Sequence, residues 1–271
     1  MTRLVTSAFL IPAVWYLCKR APFPLFLLAA ALVIGASAWE AFTLAGHRGA
    51  RPLRLVGTLA CLAVGWGFAG LSPAWSPVAP LTALIVAVPL LAMLRRDTPE
   101  SMFDTMQATF LPVMFVGLGL AHCVALRAIP GEDGPDLLLL ALVCVTFADT
   151  GAYYVGSAFG KHRLAPSISP KKSWEGAIGG LVFSLGGALL AHAWFFQKLP
   201  WIHALVLGFV LGAAGILGDL AESVLKRAAG VKDSSGLLPG HGGLLDRVDS
   251  MIVAAPVLYY YWRVILQGAV A

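Results

Sequence analysis

The sequence predicts an all-α polytopic integral membrane protein, a bundle of about nine transmembrane helices, and three observations carry that prediction. Only 12% of the 271 residues are charged and 59% are hydrophobic, whereas a soluble domain carries about 25% charged residues. The apolar residues gather into runs close to the roughly 20 residues that span a bilayer. The lysines and arginines stand mostly between those runs, in short polar stretches, as the positive-inside bias requires. A net charge of +5 without long basic runs or interleaved aromatics argues against a nucleic-acid partner.

In chain order the apolar runs cover residues 4–18, 23–45, 55–71, 78–94, 106–126, 136–156, 176–196, 201–222 and 248–267. They are too long and continuous for barrel strands, so helices must satisfy the backbone in lipid. The first run is short. Arg3 precedes it, but Lys19 and Arg20 follow it directly with no A-x-A-like cleavage site, so it reads as a retained span rather than a signal peptide. The third and fourth runs are modest. Small residues four apart, as in Gly176–Gly180 and Gly208–Gly212, suit close helix packing in lipid, and such faces leave room for a homodimer. The four cysteines (Cys18, Cys61, Cys123 and Cys144) lie in apolar runs with no C-x-x-C spacing and read as packing residues. No long internal repeat is visible.

Fourteen of the 19 lysines and arginines fall at the N-terminus or in alternate loops, at positions 3, 48, 51, 54, 95, 96, 161, 163, 171, 172, 226, 227, 232 and 247. The positive-inside rule places these in the cytoplasm, with the N-terminus cytoplasmic and the C-terminus outside. Lys19 and Arg20 are a local violation of that orientation.

Ionisable groups inside a span cost about 2.5–3.5 kcal/mol each on insertion scales and therefore mark function. Asp149 lies in the sixth run, Asp219 and Glu222 close the eighth, Asp249 opens the ninth, and Glu40 is near the end of the second. With this topology Asp149, Asp219 and Asp249 reach similar depths near the cytoplasmic face. Asp219, Ser223 and Lys226 at i, i+4 and i+7 share one helix face, as do Asp149 with Tyr153 and Asp246 with Asp249. Glu222 reads chiefly as the i, i+4 partner of Lys226. Hard carboxylate oxygens without thiolate or imidazole suit Mg²⁺ rather than zinc.

Two polar loops, 157–175 and 223–247, complement the acids. The first, "GKHRLAPSISPKKSWEG", holds Lys161, Lys171, Lys172 and Ser173, with Ser173 opening a helix and Glu175 in its first turn. A helix N-terminus beside lysines suits phosphate. The second holds Lys226, Arg227, Lys232 and the glycine-rich "LPGHGG", whose backbone approaches an anion closely. His241 lies between those glycines. His162 is open to either a structural or a functional reading, and His47, His122, His192 and His203 read as structural or interfacial. Gly-x-Ser-x-Gly, His-Glu-x-x-His and Walker A motifs are absent.

The stretch "SVLKRAAGVKDSSGLLPGHGGLLDRVDS" resembles the signature of the phosphatidate cytidylyltransferases (CDP-diacylglycerol synthases), carried by Ser223, Lys226, Arg227, Lys232, Asp233, His241, Gly242, Gly243, Asp246, Arg247 and Asp249. The block "FADTGAYYVGSAFGKHRLAPSISPKKSWEG" is similar to the family's other block, through Asp149, Lys161, Ser169, Pro170, Lys171, Lys172 and Glu175. Ser173 stands where the family often has Thr, and keeps the hydroxyl. The resemblance lies mainly within residues 147–250; the first hundred residues agree in hydropathy and span count alone.

The resemblance implies transfer of the cytidylyl group of CTP to phosphatidate, giving CDP-diacylglycerol and pyrophosphate, in a multi-pass protein of the cytoplasmic membrane. Asp219, Asp246 and Asp249 are then expected to hold Mg²⁺, with room for a second, monovalent cation. These three, with Lys226, Arg227 and His241, form the expected catalytic set. Asp149, Lys161, Lys171, Lys172, Ser173, Glu175, Ser223, Lys232, Asp233 and Arg247 are expected around the nucleotide and ion. Residues 1–130 would supply packing and a lipid cavity, and 136–267 the catalytic helices. The competing readings are a CTP-dependent polyprenol or lipid kinase, and a transporter with intramembrane carboxylates.

Overall fold

The computed structural model describes residues 12–47, 49–72, 75–95, 97–237 and 242–267. Residues 12–19 form helix α1. The chain continues through α2 (Phe23–Gly46), α3 (Arg54–Phe68), α4 (Val78–Leu94), α5 (Pro99–Pro112), α6 (Leu118–Arg127) and α7 (Asp133–Phe159). A two-stranded hairpin follows, β1 (Arg163–Ala165) with β2 (Ser169–Ser173), then α8 (Trp174–Trp194), α9 (Trp201–Ala228) and α10 (Leu245–Tyr261). Every apolar run predicted from residue 23 onward falls on a helix; the beginning of the first run lies outside the described residues. Five of these helical stretches are long and apolar enough to cross a membrane: Phe23–Gly46, Pro99–Arg127, Asp133–Phe159, Trp174–Trp194 and Trp201–Ala228. The α3 and α4 helices are apolar but shorter.

The boundaries move where polar chemistry starts or extends a helix. The fifth helix begins at Pro99, ahead of the apolar run, because Thr98 caps it by accepting from the Ser101 N–H and Pro99 and Glu100 occupy its first turn. Pro112 has no N–H to donate, and the ladder widens into a π-helical stretch at Val113–Gly117 before α6 resumes. Helix α9 runs six residues past the predicted end of its span. Lys226 and Arg227 are therefore helical residues in its last turn rather than loop residues, where cations oppose the helix dipole.

Three close approaches order the C-terminal helices. A Cβ at Gly180 would lie 2.8 Å from the Ala148 carbonyl oxygen, so α8 packs against α7 at backbone distance. A Cβ at Gly208 would lie 2.9 Å from Cα of Leu185 on α8, and the Ser184 hydroxyl donates to the Gly208 carbonyl at 2.7 Å. A Cβ at Gly218 would come within 2.5 Å of the Asp249 carbonyl oxygen, which brings α9 against the first turns of α10. The small-residue pattern expected from the sequence is thus used for packing inside the chain. All four cysteines are free, three of them buried.

At one end of the bundle Lys19 pairs with Asp136 and, at 3.0 Å, with Glu132, while Lys198 lies 3.7 Å from Asp133. The ammonium of Lys19 holds the Glu132 carboxyl below the usual carboxylate range. This pairing accounts for the cation that the charge count marked as misplaced: its charge is neutralised by acids at the same end of the bundle.

The α9–α10 contact tolerates no methyl group. Gly218→Ala is expected to lower stability by about 1–3 kcal/mol, the range for overpacking a close contact, visible as a reduced unfolding midpoint in detergent.

Candidate active site

At the opposite end from Lys19, α9 and α10 place three carboxylates together. Oxygens of Asp219, Glu222 and Asp249 all lie within 4.8 Å of one another. Asp219 and Glu222 are three apart on α9 and face α10 together. Asp249 lies one turn into α10, whose start at Leu245 also puts Asp246 and Asp249 on one face, as the sequence predicts. Glu222 is fully buried, and Lys226, one turn further along α9, is its ion-pair partner. Lys226 also donates to Asp246 Oδ1 at 2.7 Å. The Ser223 hydroxyl lies 3.4 Å from Asp219 Oδ1, so the predicted face of Asp219, Ser223 and Lys226 exists.

The first polar stretch, expected from the sequence to be a loop, contains a hairpin. Its strands pair antiparallel with Arg163 opposite Ser173 and Ala165 opposite Ser169. A ribbon of two strands has free edges, which accommodates Pro170. Strand β2 runs directly into α8, and the Ser173 hydroxyl accepts from the Gly176 N–H at 3.1 Å, capping that helix. Lys172 reaches across to Asp219 Oδ2 at 2.7 Å. This ion pair joins the hairpin to the carboxylate cluster.

Between hairpin and helices lies a cavity of about 600 Å³. Asp149 and Tyr153 of α7, Lys171 and Lys172 of β2, Ser173, and Asp219 of α9 all line it, together with Arg163 and the glycines at positions 156, 160 and 176. Acids, lysines and the capped start of α8 thus face one space.

Other predicted residues build the walls. Glu175 accepts from the backbone N–H groups of Lys161 (3.1 Å) and His162 (3.2 Å) and lies 2.6 Å from His162 Nδ1, fastening the end of α7 to the start of α8. His162 therefore has a structural partner. Arg227 donates to the Ile168 carbonyl at 3.2 Å and the Val231 carbonyl at 3.0 Å, tying the hairpin turn to the end of α9. Lys161, Lys232, Asp233 and Arg247 are exposed, and His241 lies outside the described residues.

Asp246, read from the sequence as a metal ligand with Asp219 and Asp249, has its oxygens engaged by Lys226 and by the Ser234 N–H (3.1 Å), the Ser234 hydroxyl (3.0 Å) and the Gly243 N–H (2.8 Å). It stands across Lys226 from Glu222, and the tight carboxylate group consists of Asp219, Glu222 and Asp249. Sequence reasoning saw Glu222 mainly as a helix ion pair. The signal that it belonged to the cluster was its place three residues after Asp219 in an apolar run. Glu40, an ionisable group near the end of the second apolar run, has its partners far along the chain. It is buried, and its oxygens accept from Ser234, Ser235 and the backbone N–H groups of Leu244 and Leu245. Only the tertiary structure shows that pairing, because about 200 residues separate the partners.

Fold and site together define a helical protein with five membrane-length helical stretches among the described residues and a cavity lined by carboxylates and lysines at one end. The sequence profile of the cytidylyltransferase family matches residues 1–265, and the chain belongs to that family. Among curated relatives, a phosphatidate cytidylyltransferase of Haemophilus influenzae is 47% identical over 138 residues, covering 49% of this chain and 48% of the relative. One from Mycobacterium leprae is 45% identical over 139 residues, covering 51% and 44%. One from Bacillus subtilis is 39% identical over 158 residues, 58% of each. The chain spans about half the length of the curated relatives it matches.

Three clustered carboxylates without thiolate or imidazole have donor chemistry that would suit a hard divalent cation rather than zinc. Mn²⁺ is a paramagnetic stand-in for Mg²⁺. Asp219→Asn and Asp249→Asn should each weaken Mn²⁺ binding, followed by electron paramagnetic resonance, by more than the 10–100-fold typical of outer-shell changes. Unchanged Mn²⁺ affinity in both folded variants would remove the metal assignment.

Proposed function

We propose that the chain transfers the cytidylyl group of CTP to phosphatidate, yielding CDP-diacylglycerol and pyrophosphate, with its site at the cytoplasmic face of the cell membrane. One observation carries the reading most directly: the Lys172–Asp219 ion pair, which joins the lysine-bearing hairpin lining the cavity to Asp219, the member of the carboxylate cluster that faces the same cavity. The names of the matched relatives support the same substrates.

The reaction needs no catalytic triad. A phosphate oxygen of phosphatidate, already ionised near neutral pH, attacks the α-phosphorus of CTP. The bond from that phosphorus to the oxygen bridging to the β-phosphate breaks, and pyrophosphate leaves with the electron pair. The obstacle is bringing two anions together, which cations and preorganised donors overcome by stabilising charge on the phosphoryl oxygens.

Lys171, Lys172 and Arg163 line the cavity as counter-charges for the triphosphate, and the N-terminus of α8 adds a favourable dipole end. Asp219, Glu222 and Asp249 are the residues that would hold Mg²⁺, with Asp246 as a fourth carboxylate across Lys226. Bound there, the ion would act as a Lewis acid on the α-phosphate. His241 is assigned as a hydrogen-bond donor to a phosphate group, and Lys232, Asp233 and Arg247 as exposed polar groups of the nucleotide-binding segment. The long apolar helices suit a substrate whose acyl chains stay in the bilayer while its headgroup reaches the carboxylates.

Label from CTP carrying radioactive α-phosphate is expected to enter a lipid product when purified protein is given phosphatidate in detergent, and EDTA should abolish the transfer. Label entering lipid from γ-labelled CTP instead would make the protein a lipid kinase, and no lipid labelling from either would leave the transporter reading.

The shared site also requires that the hairpin and the segment after α9 face one compartment. Ser167→Cys and Leu237→Cys, both at exposed positions, in a background lacking the four native cysteines, should react with an impermeant thiol reagent only from the cytoplasmic side. Reaction of either from outside would break the topology.

A further inference from the structure

We propose that Glu40 is a positioning residue of the site, half of a two-carboxylate clasp that fixes the segment after α9 and the start of α10 relative to the metal-suited acids; this deepens the function proposed above and rests on it. Glu40 lies on α2, far in sequence from the two polar blocks that carry the other acids and the lysines.

The contacts are dense. Glu40 Oε1 accepts from the Ser235 hydroxyl at 2.6 Å and the Leu244 N–H at 3.0 Å, and Oε2 accepts from the Ser234 hydroxyl at 3.0 Å and the Leu245 N–H at 2.8 Å. One carboxylate thus holds both sides of the segment, the serines that leave α9 and the backbone that enters α10. Asp246 does the same from below, holding Ser234 through its N–H and hydroxyl, and Gly243 through its N–H.

The Ser234 hydroxyl has one proton and lies 3.0 Å from an oxygen of each acid, so the two carboxylates are joined through it. The clasp admits no extra atom. A Cβ at Gly243 would fall 1.9 Å from the Ser234 hydroxyl oxygen and 2.5 Å from Glu40 Oε2, and Gly242 has φ +79°, a conformation that glycine adopts without strain.

Glu40 also acts on the helix behind the clasp. Its charge sits against the first N–H groups of α10, which no helical carbonyl satisfies, and an acid there stabilises the helix start. Asp249 follows one turn later. The clasp therefore sets how far Asp249 projects toward Asp219 and Glu222, and it holds Asp246 where Lys226 meets it. The chain from α2 to the acids runs Glu40, Ser234, Asp246, Lys226, Glu222, each link a hydrogen bond or ion pair.

Glu40→Gln separates this role from simple packing. The amide keeps the shape but offers one acceptor oxygen and an NH₂ group that faces donors. A spin label at Leu237→Cys reports the clasped segment, and one at Ile178→Cys, exposed on α8, serves as control, both in the cysteine-free background. Glu40→Gln should mobilise the label at 237, leave the label at 178 unchanged, and lower kcat at least about 10-fold, as loss of an outer-shell partner does, while the protein still folds cooperatively with a lowered unfolding midpoint. An immobile label at 237 would overturn the clasp. Mobilisation at both positions would make Glu40 a general packing residue, and mobilisation at 237 with unchanged kcat would remove its role in the reaction. The spectra need no turnover, so if the parent protein makes no CDP-diacylglycerol the function fails while the clasp is still decided.

Discussion

Lys226 carries the charge balance on which the rest of the site depends. Its ammonium stands between Glu222, which no solvent reaches, and Asp246, which holds the segment leaving α9. Several carboxylates gathered in a low-dielectric interior repel one another and resist ionisation. One buried cation between two of them relieves that repulsion, and Lys172 does the same for Asp219 from the side of the cavity. Without the lysines the clustered acids would have no counter-charge from the protein beside them.

The same two lysines explain why the helices and the hairpin belong to one machine. Lys226 comes from the helix that carries two of the acids, and Lys172 from a strand about fifty residues earlier. The strand is held in place at both ends. Ser173 caps α8, Glu175 secures the backbone at Lys161 and His162, and Arg227 ties the turn at Ile168 to the last turn of α9. Conserving rigidity there matters for chemistry, because a phosphate-binding group displaced by an ångström loses much of its effect. Residues expected to touch substrate thus divide into those that line the cavity, such as Lys171 and Lys172, and those that hold the lining in place, such as Glu175 and Arg227.

Close helix packing supplies the remaining constraint. Between spans in lipid there is little hydrophobic drive, so small residues and short-range contacts decide which helices meet. Gly180, Gly208 and Gly218 bring α7, α8, α9 and α10 to backbone distance in sequence. Because Gly218 adjoins Asp219 and faces Asp249, a backbone-distance helix contact and the acid cluster are built at one place. Geometry of the ligand set and stability of the bundle are consequently coupled.

By itself the sequence determined the helical class, the apolar segments from residue 23 onward, and the two polar blocks with their acids and lysines. These are local or periodic signals: hydropathy over a span, i, i+3 and i+4 spacing, and charge stranded in apolar surroundings. Three things were decided only by tertiary structure. The hairpin at 163–173 depends on pairing across a turn, with Pro166 in the turn and Pro170 in β2 masking strand character. The grouping of Glu222 rather than Asp246 with Asp219 and Asp249 depends on the rotation of α9 against α10 and on which acid Ser234 and Gly243 occupy. The seating of Glu40 against Ser234, Ser235 and the start of α10 depends on a contact between distant parts of the chain. Spacing along a chain encodes which side chains share a helix face, but which faces meet is set by packing among helices, and that is where the site acquires its geometry.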